Sequence, residues 1–205
     1  MTPIGHEYYL NHTNTIDFAY YDADAITAAV NGGLPYYLVE TNTASCIGLN
    51  GVSNAFTSAL WGIDAALQMA FKNHTGVFFH TSGINTIYNV FTTPAYNAST
   101  KSWKTGPIFY SYLVVSEALA SATNSSRVVD IGTGRDDAAA YAIYEEETVK
   151  KVVLVNMITG GENTWTANVP APSDGAIVSY KLLTAPGVDA VQNIVSCLLL
   201  PKQLP

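Results

Sequence analysis

The sequence predicts an α/β region followed by an antiparallel β region. Across residues 4–120, apolar runs of strand length are followed by runs with helical spacing three times over. After Asn124 the pattern changes to short apolar runs divided by turn residues. The first pattern has the arithmetic of the last three units of a (β/α)8 barrel, and the second that of an antiparallel β-sandwich. A full barrel takes about 250 residues and this chain has 205, so both parts are expected to be incomplete. The expected division is 1–123 and 124–205.

Taken in order, Ile4–Tyr9 reads as a short strand, and Asp22–Val30 as a helix capped by Asp22 and ended by Gly32. Tyr36–Glu40 follows as a strand. Its unbroken apolar character suits a strand buried on both faces, as in parallel sheets covered by helices. Ser53 is placed to cap a helix to about Phe71, with Phe56, Leu60, Ile63, Leu67 and Phe71 on one face. Val77–His80 is a second buried-type strand. The loop Thr81–Thr105 is long enough to have a task of its own. Pro107 suits the first turn of a helix reaching Ala120.

In the second part, Val128–Ile131, Ala139–Tyr144, Val149–Met157, Thr164–Val169 and Ile177–Leu183 read as strands. Glu145-Glu146-Glu147 forms one hairpin end and Gly160-Gly161-Glu162-Asn163 another.

Composition excludes some classes of function. The net charge is -7, and the nine Lys and Arg residues are scattered. Phosphate backbones need clustered cations, so no nucleic-acid partner is expected. No run approaches the ~20 apolar residues of a membrane span. Met1-Thr2-Pro3 begins no secretory signal, yet four glycosylation triplets start at Asn11, Asn73, Asn97 and Asn124. Together these point to a secreted, extracellular parent protein whose beginning lies upstream. Two cysteines cannot define a fold by disulfides. Cys46 is expected as a small buried thiol, and Cys197 lies in the tail.

Three weaker patterns fail. His6-Glu7-Tyr8-Tyr9-Leu10 has Leu where a zinc-binding helix needs its second His. Gly132-Thr133-Gly134-Arg135-Asp136 lacks the third glycine of a dinucleotide site and reads as a turn. No Gly-x-Ser-x-Gly elbow occurs. Neither metal nor cofactor is expected.

Candidate chemistry centres on Glu40, the carboxylate that ends an apolar strand. In a (β/α)8 barrel such a position faces the active site; the alternative is a glutamate that opens a surface loop. The segment Glu40-Thr41-Asn42-Thr43-Ala44-Ser45-Cys46, with Gly48, Gly51-Val52-Ser53 and the helix from Phe56 to Leu67, resembles the nucleophile segment of fungal β-glucuronidases of glycoside hydrolase family 79, relatives of heparanase. The similarity runs on through Gly106-Pro107-Ile108-Phe109-Tyr110 and Ser116-Glu117-Ala118-Leu119 to Leu183-Thr184-Ala185-Pro186-Gly187-Val188. From Asp189 the chain departs from the family pattern, either as a divergent last strand or as an altered end.

The resemblance implies a retaining glycosidase acting on β-linked glucuronic acid in glycans, with Glu40 as nucleophile at the end of the seventh barrel strand. It also implies an acid/base glutamate, following Asn, at the end of the fourth strand. No Asn-Glu precedes Glu40 here, so the chain as it stands is expected to be inactive. By the same resemblance Tyr8 or Tyr9 would orient the nucleophile, with His6 competing for that role and simple core packing the alternative. Ser45 and Gly48 would help hold the sugar carboxylate, unless their loop binds nothing. His80, ending the eighth strand, either faces the sugar or is structural. A competing reading is non-enzymatic: the β region is a folded support or a glycan-binding module using aromatics such as Trp165.

Overall fold

The computed structural model describes residues 5–94, 99, 101–159, 164–169, 177–198 and 202–203. It is a mixed α/β molecule with small sheets. Three helices come first: α1 (His6–Tyr9), α2 (His12–Ala19) and α3 (Ala23–Asn31). The expected strand at the start is therefore a single helical turn. Tyr8 N–H donates to Gly5 O and Leu10 N–H to His6 O, and Tyr9 is buried edge-on against Trp61. A four-residue element carries too little periodicity to distinguish the two.

Helix α2 is capped by Asn11, whose side chain accepts from Asn14 N–H. Asp22 precedes α3 but makes no side-chain cap, while Gly32 ends that helix as expected.

Strands β1 (Tyr37–Thr41) and β2 (Gly76–Phe79) pair in parallel. Between them runs α4 (Phe56–Phe71), the axis of the molecule, with 14 of its 16 residues buried, Phe56 through Met69. Its expected apolar face lies in one core cluster with Leu10, Tyr141, Ile143 and Val155. Its opposite side, Trp61 and Ala65, lies in a second cluster with Tyr9, Val52 and Ile108. Gly62 allows α5 (Phe109–Leu119) to approach, because a Cβ there would come within 2.7 Å of Ser111 Oγ.

Ser53 does not cap α4. Its hydroxyl accepts from Leu49 N–H and from Thr43 Oγ1, so it ties the loop after β1 together. The first N–H groups of α4 are satisfied instead by the tail of the chain. Phe56 N–H donates to Ala190 O, and Thr57 N–H to Val188 O, both at 2.8 Å.

The long loop carries a short hairpin, β3 (Phe91–Thr92) with β4 (Lys104–Thr105); Asn97 lies outside the described residues. The antiparallel part is a three-stranded sheet of β5 (Ser126–Asp130), β6 (Ala138–Glu145) and β7 (Thr148–Asn156). The hairpin at Glu145–Glu147 forms as expected, with Glu146 at φ +54°. The glycine-rich stretch 132–136 is the turn between β5 and β6, with Gly132 and Gly134 at positive φ.

Residues 164–169 form no strand, and the glycines expected to turn before them lie outside the described residues. The single strand expected over 177–183 is split into β8 (Ile177–Val178) and β9 (Lys181–Thr184). The tail returns as β10 (Val195–Leu198), antiparallel to β9, and β11 (Lys202–Gln203), paired with β8. Among the described residues, no helix is long and apolar enough to cross a membrane.

Candidate active site

Glu40 stands where the two parallel strands end together. The register pairs Tyr37 with Gly76, Leu38 with Val77 and Thr41 with Phe79, so β1 carries one extra residue between Leu38 and Thr41. Such a bulge re-aims the side chains within it, and Glu40 lies in that interval. Its side chain is 70% exposed. The ladder continues one step past β2, where His80 N–H donates to Thr41 O at 2.7 Å. This step brings His80 Nδ1 to 3.6 Å from Glu40 Oε1.

Behind this pair is a frame of half-buried and buried polar groups. Asn42 Nδ2 donates to His80 O at 2.9 Å and reaches Tyr88 O at 3.5 Å, while its Oδ1 accepts from Thr43 N–H. The Tyr88 ring packs edge-on against His80. Its hydroxyl donates to Cys46 O at 2.8 Å, tying the Thr81–Thr105 loop to the loop after β1. Burial pushes the Tyr88 phenol up, and the neighbouring Cys46 and Glu40 add to the rise.

Of the residues that the sequence nominates, the structure therefore brings Glu40 and His80 together. Ser45 lies on the same loop and is exposed. Gly48, at φ +93°, is a packing glycine as well as a loop residue, because a Cβ there would meet Ser53 and Ile87 at 3.0–3.1 Å. Tyr8 sits on α1, about half exposed, stacked edge-on with Tyr9, and no hydrogen bond joins it to Glu40. His6 is engaged elsewhere, 2.6 Å from Thr57 Oγ1. Cys46, expected buried, is exposed, as is Cys197.

Tyr88 and Asn42 are the residues that sequence reasoning missed as a support. Asn42 stood beside Glu40 in plain view, but the partner of Tyr88 is a main-chain carbonyl 42 positions away, which no local pattern encodes. Among the described residues no cluster of three or more His, Cys, Asp or Glu could hold a metal ion.

Over 153 residues, 73% of its length, the chain is 29% identical to a curated β-glucuronidase of Aspergillus niger. The resemblance is to a β-glucuronidase. It spans 28% of that enzyme's length, so this chain matches a part of it. In three dimensions the chain is similar to a 4-O-α-L-rhamnosyl-β-D-glucuronidase from Fusarium oxysporum 12S, solved with Rha-GlcA. That match has a TM-score of 0.75 and 19% identity, and it covers 95% of this chain and 41% of the other, which establishes the fold. No family model matches.

Proposed function

We propose that this chain is the C-terminal part of a retaining β-glucuronidase of the family 79 type, acting on β-linked glucuronic acid in glycans. In this reading residues 1–123 supply the last units of a (β/α)8 barrel, and residues 124–205 a β-domain of the sandwich kind. Glu40 is the nucleophile and forms the glycosyl–enzyme bond. His80, 3.6 Å away, is the side chain nearest to hand for positioning it. Exposed Ser45 and the backbone near Gly48 line the side on which the sugar carboxylate would lie. Tyr8 takes no part in orienting Glu40 in this arrangement. The parent protein is extracellular.

The observation that carries this reading is Glu40 at the common C-terminal end of two parallel strands, in a chain similar over most of its length to a β-glucuronidase. Retaining hydrolysis needs a second carboxyl about 5–5.5 Å from the nucleophile, and we assign it to polypeptide outside this segment. The test is hydrolysis of an aryl β-glucuronide by the 205-residue chain and by Glu40→Gln. No turnover is expected from either. Turnover lost in Glu40→Gln would support the residue and overturn the assignment of the second carboxyl. Turnover kept in Glu40→Gln would overturn Glu40 itself.

One observation favours a second reading, a glycan-binding β-domain. A cleft of about 280 Å³ is lined by Leu154, Asn156, Thr164, Trp165 and Ala167. Titration with glucuronide-containing oligosaccharides separates the two. Binding that survives Glu40→Ala and fails in Trp165→Ala would favour the module.

A further inference from the structure

A second group of ionisable side chains lies at the junction between the helices and the three-stranded sheet. His12, from α2, is buried with both ring nitrogens against carboxylates. Nδ1 is 3.0 and 3.1 Å from the two oxygens of Asp64 on α4, and Nε2 is 3.3 Å from Asp130 Oδ2 on β5. An imidazole facing acceptors on both sides satisfies them only when both nitrogens carry protons. Tyr141, on β6, donates to Asp64 Oδ1 at 2.5 Å, within reach of Gln68 Oε1, and its ring meets His12 edge-on. Lys72, at the end of α4, adds its positive charge toward Asp130. From the β5–β6 turn, Asp136 O accepts from His12 N–H, and its carboxylate accepts from Thr13.

We propose that His12, clasped between Asp64 and Asp130, is an ionic tie that locks the helices to the three-stranded sheet and holds them most tightly in mildly acidic solution. Burial alone would lower the imidazole, but its hydrogen bonds to Asp130 and Asp64 and their charges raise it from 6.5 to about 10. Asp130 is likewise opposed by burial. Hydrogen bonds from His12 and from Gly132 N–H, with the charges of His12 and Lys72, nevertheless hold it below its ordinary value. The histidine contribution is complete below about pH 6.5 and is lost as pH rises through about 10. The Asp130 contribution is complete above the ordinary carboxylate value of about 3.9 and is lost as pH falls through its depressed value. Both are present together between about pH 4 and 6.5.

Two measurements test this. Histidine C2 hydrogen–deuterium exchange on the unaltered chain, read by mass spectrometry, reports each histidine separately. His12 is expected to remain protonated above pH 8. Loss of its proton below pH 7.5 would overturn the proposal. Thermal melts from pH 4 to 9 are then compared with those of His12→Asn. The unaltered chain should lose melting temperature steadily above pH 6.5, and the variant should melt about 10 °C lower at pH 5.5 with a flat profile above it. Parallel profiles would count against the tie. If the variant does not fold, the exchange experiment decides.

Discussion

Among the described residues, two sites join histidine to carboxylate by the same chemistry in opposite surroundings. At the strand ends, His80 and Glu40 lie 3.6 Å apart with much of both side chains in water. At the junction, His12 lies between Asp64 and Asp130, among α2, α4, β5 and β6 and with little of the three side chains in water. In water the attraction between charges is screened, and a pair is worth little. Out of water each charge is costly unless it is matched, so the matched set becomes obligatory. The exposed pair is thus free to act on something else, whereas the buried one is committed to the fold.

Substitutions can break that contrast, and the largest effect is expected at Asp64. Asp64→Ala leaves His12 without its bidentate partner and Tyr141 without its acceptor. A loss of about 3–5 kcal/mol in chemical denaturation is expected. Tyr141→Phe removes one buried donor and keeps the ring, so the same measurement should give about 1–3 kcal/mol. At the strand ends Glu40→Gln and His80→Ala should each change stability by no more than about 0.5 kcal/mol. A loss at Glu40 rivalling that at Asp64 would erase the distinction.

A further prediction concerns the ground around Glu40. Val39 is 75% exposed, and Leu34, Tyr37 and Phe78 are exposed beside it. Among the described residues, strand β1 pairs only with β2, which leaves its other edge without a strand partner there. Open edges and apolar patches seek partners. Sedimentation of the isolated chain should show self-association that increases with concentration. A single monomer species that melts cooperatively would argue against it.

The sequence made the two regions legible to different degrees. Long α4 was readable because five apolar residues at helical spacing leave little choice, although its burial on the opposite side as well followed only from the packing of α5 and β2. The parallel strands were readable from their apolar runs, but their expected burial on both faces was not met, because hydrophobicity states a demand and not the presence of a neighbour. The turn at His6–Tyr9 was misread because Tyr9 and Leu10 are apolar for reasons of tertiary contact with α4.

Glu40 and His80 stood out by their place at strand ends and by resemblance to a β-glucuronidase. His12 did not, because Asp64 and Asp130 are 52 and 118 positions away and nothing local announces them. The caps of α4 were hidden for the same reason, since its N–H groups are met by carbonyls of the chain's last stretch.

The central claim is that Glu40 is the nucleophile of a glucuronidase site completed by polypeptide outside this segment. It is tested most directly by assembling this chain with the N-terminal part of the Aspergillus niger β-glucuronidase. The assembly is then treated with 2-deoxy-2-fluoro-β-D-glucuronyl fluoride, whose leaving group departs without an acid, and the labelled peptide is mapped by mass spectrometry. The account predicts an assembly that hydrolyses aryl β-glucuronides and carries its covalent label on Glu40. An active assembly with the label on any other residue, or with this chain unlabelled, would contradict it.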